Sequence, residues 1–139
     1  MKNHAYKPKE LKKIKDDIMR NRFPDIKSVK ATGYNYIFED KNKIIRIQMN
    51  IRENMKKYDI APSQENGCDA FGYIDRETNE ILFLSNKVYM DNCEEHSFWK
   101  LGYKGKSKQL SIKKFKELAT KNIFDVVDNY TLNYGVLPV

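Results

Sequence analysis

Between Ile45 and Arg52 the side chains change in kind at every step. Ile45, Ile47, Met49 and Ile51 share one parity, and Arg46, Gln48, Asn50 and the following Arg52 share the other. A period of two belongs to an extended strand, whose successive Cβ atoms point to opposite sides. In a helix the same four apolar residues would wind around the cylinder and leave no coherent face. The chain is therefore committed here to a sheet buried on one side. The other side of this strand presents two guanidinium and two carboxamide groups, all suited to binding or chemistry.

The rest of the chain can be placed around that strand. Pro8 to Arg22 predicts a helix, with proline in the first turn and Leu11, Ile14 and Ile18 as its apolar stripe. Phe23-Pro24 ends it. Tyr34 to Phe38 alternates, with Tyr34, Tyr36 and Phe38 on one face and Asn35 and Ile37 on the other. The polar turn 39–43 links it to the key strand. Residues 53–67 read as irregular. Asp69–Ile74 and Glu80–Leu84 read as a hairpin, Lys87–Met90 as a further short strand, and 100–110 as a lysine-rich loop. Ser111 can cap a long helix from Ile112 to about Asn129, buried through Ile112, Phe115, Leu118, Ala119, Ile123, Val126 and Val127. The tail 130–139 is apolar enough to pack or to join a partner chain. The expectation is one α+β domain over residues 1–139, a mixed sheet flanked by an N-terminal and a C-terminal helix.

Charge is sorted along the chain. The net charge is +7, with seven lysines and no acid between Lys100 and Lys116. Residues 1–30 hold ten basic side chains against four acids, and 65–95 reverse this with eight acids against two bases. Basic ends imply attraction to phosphate, or to an acidic surface of a nucleic-acid-binding protein. The plainer alternative is a generally lysine-rich composition. No run approaches the roughly 18 apolar residues of a membrane span, and the first residues carry no apolar signal. The two cysteines, Cys68 and Cys93, read as thiols. Cys93 and His96 lack a second pair at zinc-site spacing. A cytoplasmic location, in a bacterial or phage-infected cell, is the expectation.

The order helix, strand, turn, strand with a polar-faced second strand resembles the core of the PD-(D/E)XK nucleases. The phrase Ile45-Arg46-Ile47-Gln48-Met49-Asn50 is similar to the strand of small intron-encoded (group I) homing endonucleases that use Gln in the metal site. The resemblance covers roughly residues 8–90 and implies a restriction-endonuclease-like core. It places Glu10 as the helical acid, Asn35 where a metal-binding Asp belongs, Gln48 at the Gln position and Asn50 where a Lys belongs. Two of these four depart from the pattern. Mg²⁺ prefers anionic oxygens, and Asn35 and Gln48 are neutral. Glu10 and Gln48 would be a poor metal pair, and Asn50 supplies no cation beside a nucleophile. Arg46, Arg52, Glu53 and Asp69 are possible substitutes on or near the strand.

Two functions follow from this reading. The first is a binding protein on a degenerate nuclease scaffold, needing no cofactor. It would hold DNA, RNA or an acidic groove through Arg46, Arg52, Lys100, Lys104, Lys106, Lys108, Lys113, Lys114 and the N-terminal lysines. A phage or mobile-element inhibitor of a nucleic-acid-guided enzyme is one form of it. The second is a Mg²⁺-dependent DNA endonuclease of homing or restriction type, acting as a homodimer or homotetramer. Plainer readings stand beside both. Gln48 and Asn50 suit a solvent-facing strand, Glu10 suits a helix surface next to Lys9 and Lys13, and Trp99, Phe98 and Tyr103 suit either a base stack or a core edge.

Overall fold

The computed structural model describes residues 8–31, 33–40, 43–51, 56–100, 103–123, 126, 135 and 136. Its centre is a mixed sheet in the order β1-β2-β3-β5-β6. These strands are β1 (Lys27–Ser28), β2 (Tyr36–Asp40), β3 (Lys43–Ile51), β5 (Ala70–Asp75) and β6 (Glu80–Ser85). β2 and β3 form the expected antiparallel pair, with Tyr36 opposite Ile47. β5 lies parallel to β3, and β6 returns antiparallel as the hairpin partner of β5. A short β9 (Gly135–Val136) pairs with the start of β3.

The alternation of β3 decides what covers each face. Ile45, Ile47, Met49 and Ile51 join Tyr36, Phe38, Ile74, Ile81 and Phe83 in one buried cluster. Helix α1 (Pro8–Arg22) closes that face through Met19, with Leu11, Ile14 and Ile18 packed alongside. Burying such side chains stabilises by roughly 1.5–3 kcal/mol each. Gly72 serves the same packing, since a Cβ there would run into the Met49 thioether.

The other face carries a second core. Phe71, Tyr73, Leu82 and Leu84 of the main sheet are covered by a three-stranded sheet in the order β4-β8-β7 and by two short helices. These are β4 (Lys57–Ile60), β7 (Glu94–Lys100), β8 (Tyr103–Ser111), α3 (Asn86–Asn92) and α4 (Ile112–Leu118); α2 (Pro62–Gly67) lies in the crossover from β4 to β5. Tyr58 and Phe115 stack 4.8 Å apart, and Tyr89 sits edge-on beside them. The Tyr58 hydroxyl donates to the carbonyls of both Gln48 and Gly72, so it ties the parallel strands together.

Five local expectations are corrected. The 53–67 stretch is not irregular where it is described: Lys57–Ile60 is β4 and Pro62–Gly67 is α2. The 100–110 segment is not a loop: β7 and β8 pair from Glu94↔Gln109 to Lys100↔Tyr103. Its lysines at 104, 106 and 108 already alternate at strand period. Lys87–Met90 is helical, because Ser85 caps α3 by accepting from the Val88 N–H at 3.2 Å. The helix from Ile112 ends at Leu118, where Ala119 turns extended and Thr120 bridges to Phe83 on the outer edge of β6. The long apolar stripe is thereby divided. Ile112 and Phe115 enter the second core, while Ile123 and Val126 cross the sheet edge into the first. Finally, β2 starts at Tyr36 and not at Tyr34. Tyr34 packs against the second core and Tyr36 lies in the first, so the alternation breaks at Asn35.

Candidate functional site

Asn35 breaks the alternation because its side chain replaces backbone. Its Nδ2 donates to the Met49 carbonyl at 3.2 Å, and its Oδ1 accepts from the Met49 N–H at 2.9 Å. The carboxamide thus continues the β2–β3 ladder by one rung and lies in the line of the sheet. The turn before it is fixed as well. Gly33 takes a φ of 97°, open mainly to glycine, and a Cβ there would strike the Ser63 carbonyl of α2. The Gly33 carbonyl in turn accepts from the Cys68 thiol. Burial and the neighbouring Asp69 push that thiol up to about 12, so it stays protonated.

On the polar face of β3, Arg46, Gln48 and Asn50 are all half-buried. Gln48 stands beside Phe71 and Asn50 beside Tyr73 on the parallel neighbour. Their carboxamides make no hydrogen bond to any side chain or backbone group among the described residues. Arg46 is engaged instead. Its Nε and Nη2 each lie 3.0 Å from one oxygen of Asp69, and its backbone N–H donates to the same carboxylate at 2.8 Å. The Asp69 side chain is 2% exposed and that of Arg46 is 33% exposed. Hydrogen bonding to Asp69 raises the Arg46 pKa further, against the cost of burial. Asp69 therefore neutralises Arg46 and is not free to receive a cation.

The helical acid expected at residue 10 is on the exposed side of the first turn of α1. The acid that α1 turns inward is Asp16, about 240° further around the cylinder. Asp16 accepts from the Tyr36 hydroxyl and from Lys12 Nζ at 2.7 Å. Burial works against its charge, yet these two donors hold its carboxyl below the ordinary range. Lys15 Nζ lies 3.5 Å from the Met49 carbonyl, and burial lowers its pKa. This polar group sits on the α1 face of the sheet, opposite the face that Gln48 presents. Nothing in the sequence marked Asp16, because it lies at the margin of the apolar stripe in an i, i+4 pair with Lys12 that a surface helix also shows.

Mg²⁺ would need anionic oxygens converging on one point. At the metal-site positions Asn35 Oδ1 is occupied by a backbone N–H, Gln48 is neutral, and Glu10 points away into solvent. Among the described residues no three His, Cys, Asp or Glu side chains gather closely enough to hold a metal. The described set does not fit the ion. Arg52 and Glu53 lie outside the described residues.

The C-terminal basic part of the chain folds onto the acidic middle. Lys108 pairs with Glu65 at 2.8 Å, Lys116 with the buried Asp75 at 2.7 Å, and Lys121 with Glu80. The hydrogen bond to Glu65 raises the Lys108 pKa. Much of the charge sorting read along the sequence is thus tertiary complementarity. Lys113 and Lys114 are exposed on α4 and make no ion pair among the described residues. The side chains of Lys100, Lys104 and Lys106 lie outside the description, as do those of Phe98, Trp99 and Tyr103. Among the described residues no helix is long and apolar enough to cross a membrane.

No protein-family model matches the chain, and no curated protein matches it in sequence. Among solved structures the chain is similar to the Holliday junction resolvase Hjc of the archaeal hyperthermophile Archaeoglobus fulgidus. The TM-score is 0.57 at 7% identity, over 84% of this chain and 95% of that one. It is also similar to the bacterial homing endonuclease I-Ssp6803I, with a TM-score of 0.45 at 13% identity over 75% of each chain. The helix, the antiparallel β2–β3 pair and the parallel β5 belong to a fold shared with the structure of that resolvase.

Proposed function

We propose that this chain is a nucleic-acid-binding protein built on a nuclease fold, with the metal-site position given over to structural use. The observation that carries the reading is the Asn35 carboxamide, both of whose polar atoms are spent on the Met49 backbone. A group that closes the sheet stands where the fold would put a metal-binding acid. The net charge of +7 and the lysines without an acidic partner among the described residues supply attraction to a polyanion. The likeness to a Holliday junction resolvase favours DNA as that polyanion. The reading expects a soluble, cytoplasmic homodimer or homotetramer. An inhibitor role in phage or mobile-element biology rests on the charge pattern and gains nothing from the fold.

One observation favours a second reading, a Mg²⁺-dependent endonuclease. The Gln48 and Asn50 carboxamides are half-buried and uncommitted among the described residues, as groups awaiting a ligand would be. A single preparation separates the two. Purified protein is incubated with supercoiled plasmid and Mg²⁺ or Mn²⁺, and binding to labelled DNA is followed across a salt series. The binding reading expects intact plasmid and an affinity that falls steeply with salt. Metal-dependent nicking that disappears in Gln48→Ala would overturn it in favour of the endonuclease.

A further inference from the structure

Four lysines without ion partners among the described residues meet where β4 pairs with β8 at the start of α4. Lys57 of β4 is the register partner of Ser111, the residue that caps α4. The Lys56 carbonyl accepts from the Ile112 N–H at 2.9 Å, which brings Lys56 beside Lys113. All four of Lys56, Lys57, Lys113 and Lys114 are exposed, and none pairs with an acid among the described residues. Lys108, Lys116 and Lys121 on the same basic stretch are each neutralised by an acid.

A cleft of about 290 Å³ opens beside Lys57 and Lys114, with Gln109, Leu110, Ser111, Asn92 and Glu94 completing its lining. Its donors fit a phosphate. Lys57 and Lys114 offer ammonium groups from two walls. Gln109 offers an amide with no other hydrogen bond among the described residues. The Ser111 hydroxyl accepts from the Lys114 N–H at 3.1 Å and keeps its own hydrogen to donate. Acids stand nearby as well: Glu94 lines the cleft, and Glu117 follows Lys113 by one helical turn on α4. Asp59 and Glu94 are the register partners of Gln109 on its two neighbouring strands. They stand one row along the sheet from Lys57 and Ser111, about 7 Å away. These two carboxylates favour an anion on the Lys57 and Ser111 side of Gln109. Asn92 Nδ2 gives one of its two hydrogens to the Val88 carbonyl and keeps the other.

We infer that this cleft, formed by β4, β8 and the start of α4, holds a backbone phosphate of a nucleic acid strand. The inference rests on the nucleic-acid-binding reading and assigns it a surface separate from the degenerate metal site. Lys57 and Lys114 contact the phosphate directly, and Lys56 and Lys113 attract the groups on either side of it.

The test is the binding of a fluorescein-labelled DNA duplex, measured by anisotropy from about 50 to 200 mM salt. The variants are Lys57→Gln/Lys114→Gln, the same pair changed to Arg, and Lys87→Gln/Lys121→Gln. The last removes two lysines from ion pairs elsewhere and matches the change in net charge. The cleft variant is expected to bind about tenfold or more weakly at low salt, with a log–log salt slope shallower by about 1, since one phosphate contact is lost. The Arg pair retains wild-type binding, and the control pair moves little. Matching thermal midpoints show that the variants are folded, and the two single Gln variants apply if the double variant is not. Wild-type binding with equal losses in the cleft and control pairs, or with no loss in the cleft pair, overturns the inference and leaves the nucleic-acid reading standing. No DNA binding by wild type defeats the nucleic-acid reading itself.

Discussion

Arg46→Met separates a structural role for this guanidinium from a ligand-binding one. Arg46 and Asp69 form a two-pronged pair, and the Asp69 carboxylate is 2% exposed. Removing one partner of a buried pair costs roughly 3–5 kcal/mol, because it strands the other charge. Arg46 is 33% exposed and the Arg46 N–H still reaches Asp69, so the lower end applies, about 3 kcal/mol. At a few °C per kcal/mol for a chain of this size, the thermal midpoint should fall by roughly 10 °C. Urea denaturation with an unchanged m-value is the direct assay. Arg46→Met/Asp69→Leu removes both charges and should recover much of the loss, since an apolar replacement of a buried pair is often neutral. DNA affinity of the folded single variant should stay within about twofold of wild type, because a neutralised guanidinium adds little to phosphate attraction. A loss of stability below about 1 kcal/mol, with a large loss of DNA affinity, would refute the argument and return Arg46 to the candidate interface.

Further substitutions probe the same architecture. Asn35→Asp should cost about 1–3 kcal/mol at neutral pH by facing a carboxylate to the Met49 carbonyl, with no thermal shift on adding Mg²⁺. Protonation restores the lost donor, so the new carboxyl has a raised folded pKa. Its deficit should be small below about pH 4 and grow as pH rises, which denaturation at pH 4 and 7 would read. Gly33→Ala should destabilise by about 1 kcal/mol or more through its φ of 97° and the Ser63 carbonyl, measurable by thermal melting. Asp75 is held below the ordinary carboxylate range: burial opposes its charge, but Lys116 and the Glu77 N–H outweigh it. Its contribution is present above about pH 4 and lost as pH falls through the depressed value, so Lys116→Met should narrow the stability difference between pH 7 and pH 3. Cys68 is buried and Cys93 is partly exposed, so a thiol reagent at pH 8 should modify Cys93 first and Cys68 only on unfolding.

The elements that were legible are those whose burial is decided locally. The alternation of β3 fixed which residues entered the α1 core, and Ile45, Ile47 and Met49 are fully buried there. The stripe of α1 worked for the same reason. The stretch after Ser111 failed because two different surfaces compete for one apolar pattern. Ile112 and Phe115 fit the face under the second sheet, and Ile123 and Val126 fit the opposite face. No local period reveals that the chain must cross a sheet edge between them, since the crossing is stabilised by Thr120 bonding to Phe83, a contact across 37 residues of sequence.

Of the candidate positions, spacing conveyed the pairing of Asn35 with Gln48 but not the use of either, and it did not convey that Glu10 lies on the exposed side of α1. Sequence spacing set Asn35 thirteen residues before Gln48, and β2 and β3 do bring this pair side by side at one end of their ladder. Whether a carboxamide there faces a ligand or completes a sheet depends on where the Met49 N–H and carbonyl point, which no spacing encodes. Charge misled in a related way. A run of lysines attracts phosphate only where acids of the same chain do not reach it first, and Glu65, Asp75 and Glu80 do reach Lys108, Lys116 and Lys121. What remains informative is the unneutralised residue, and Lys57 and Lys114 acquire that meaning only once β4 and α4 are placed side by side.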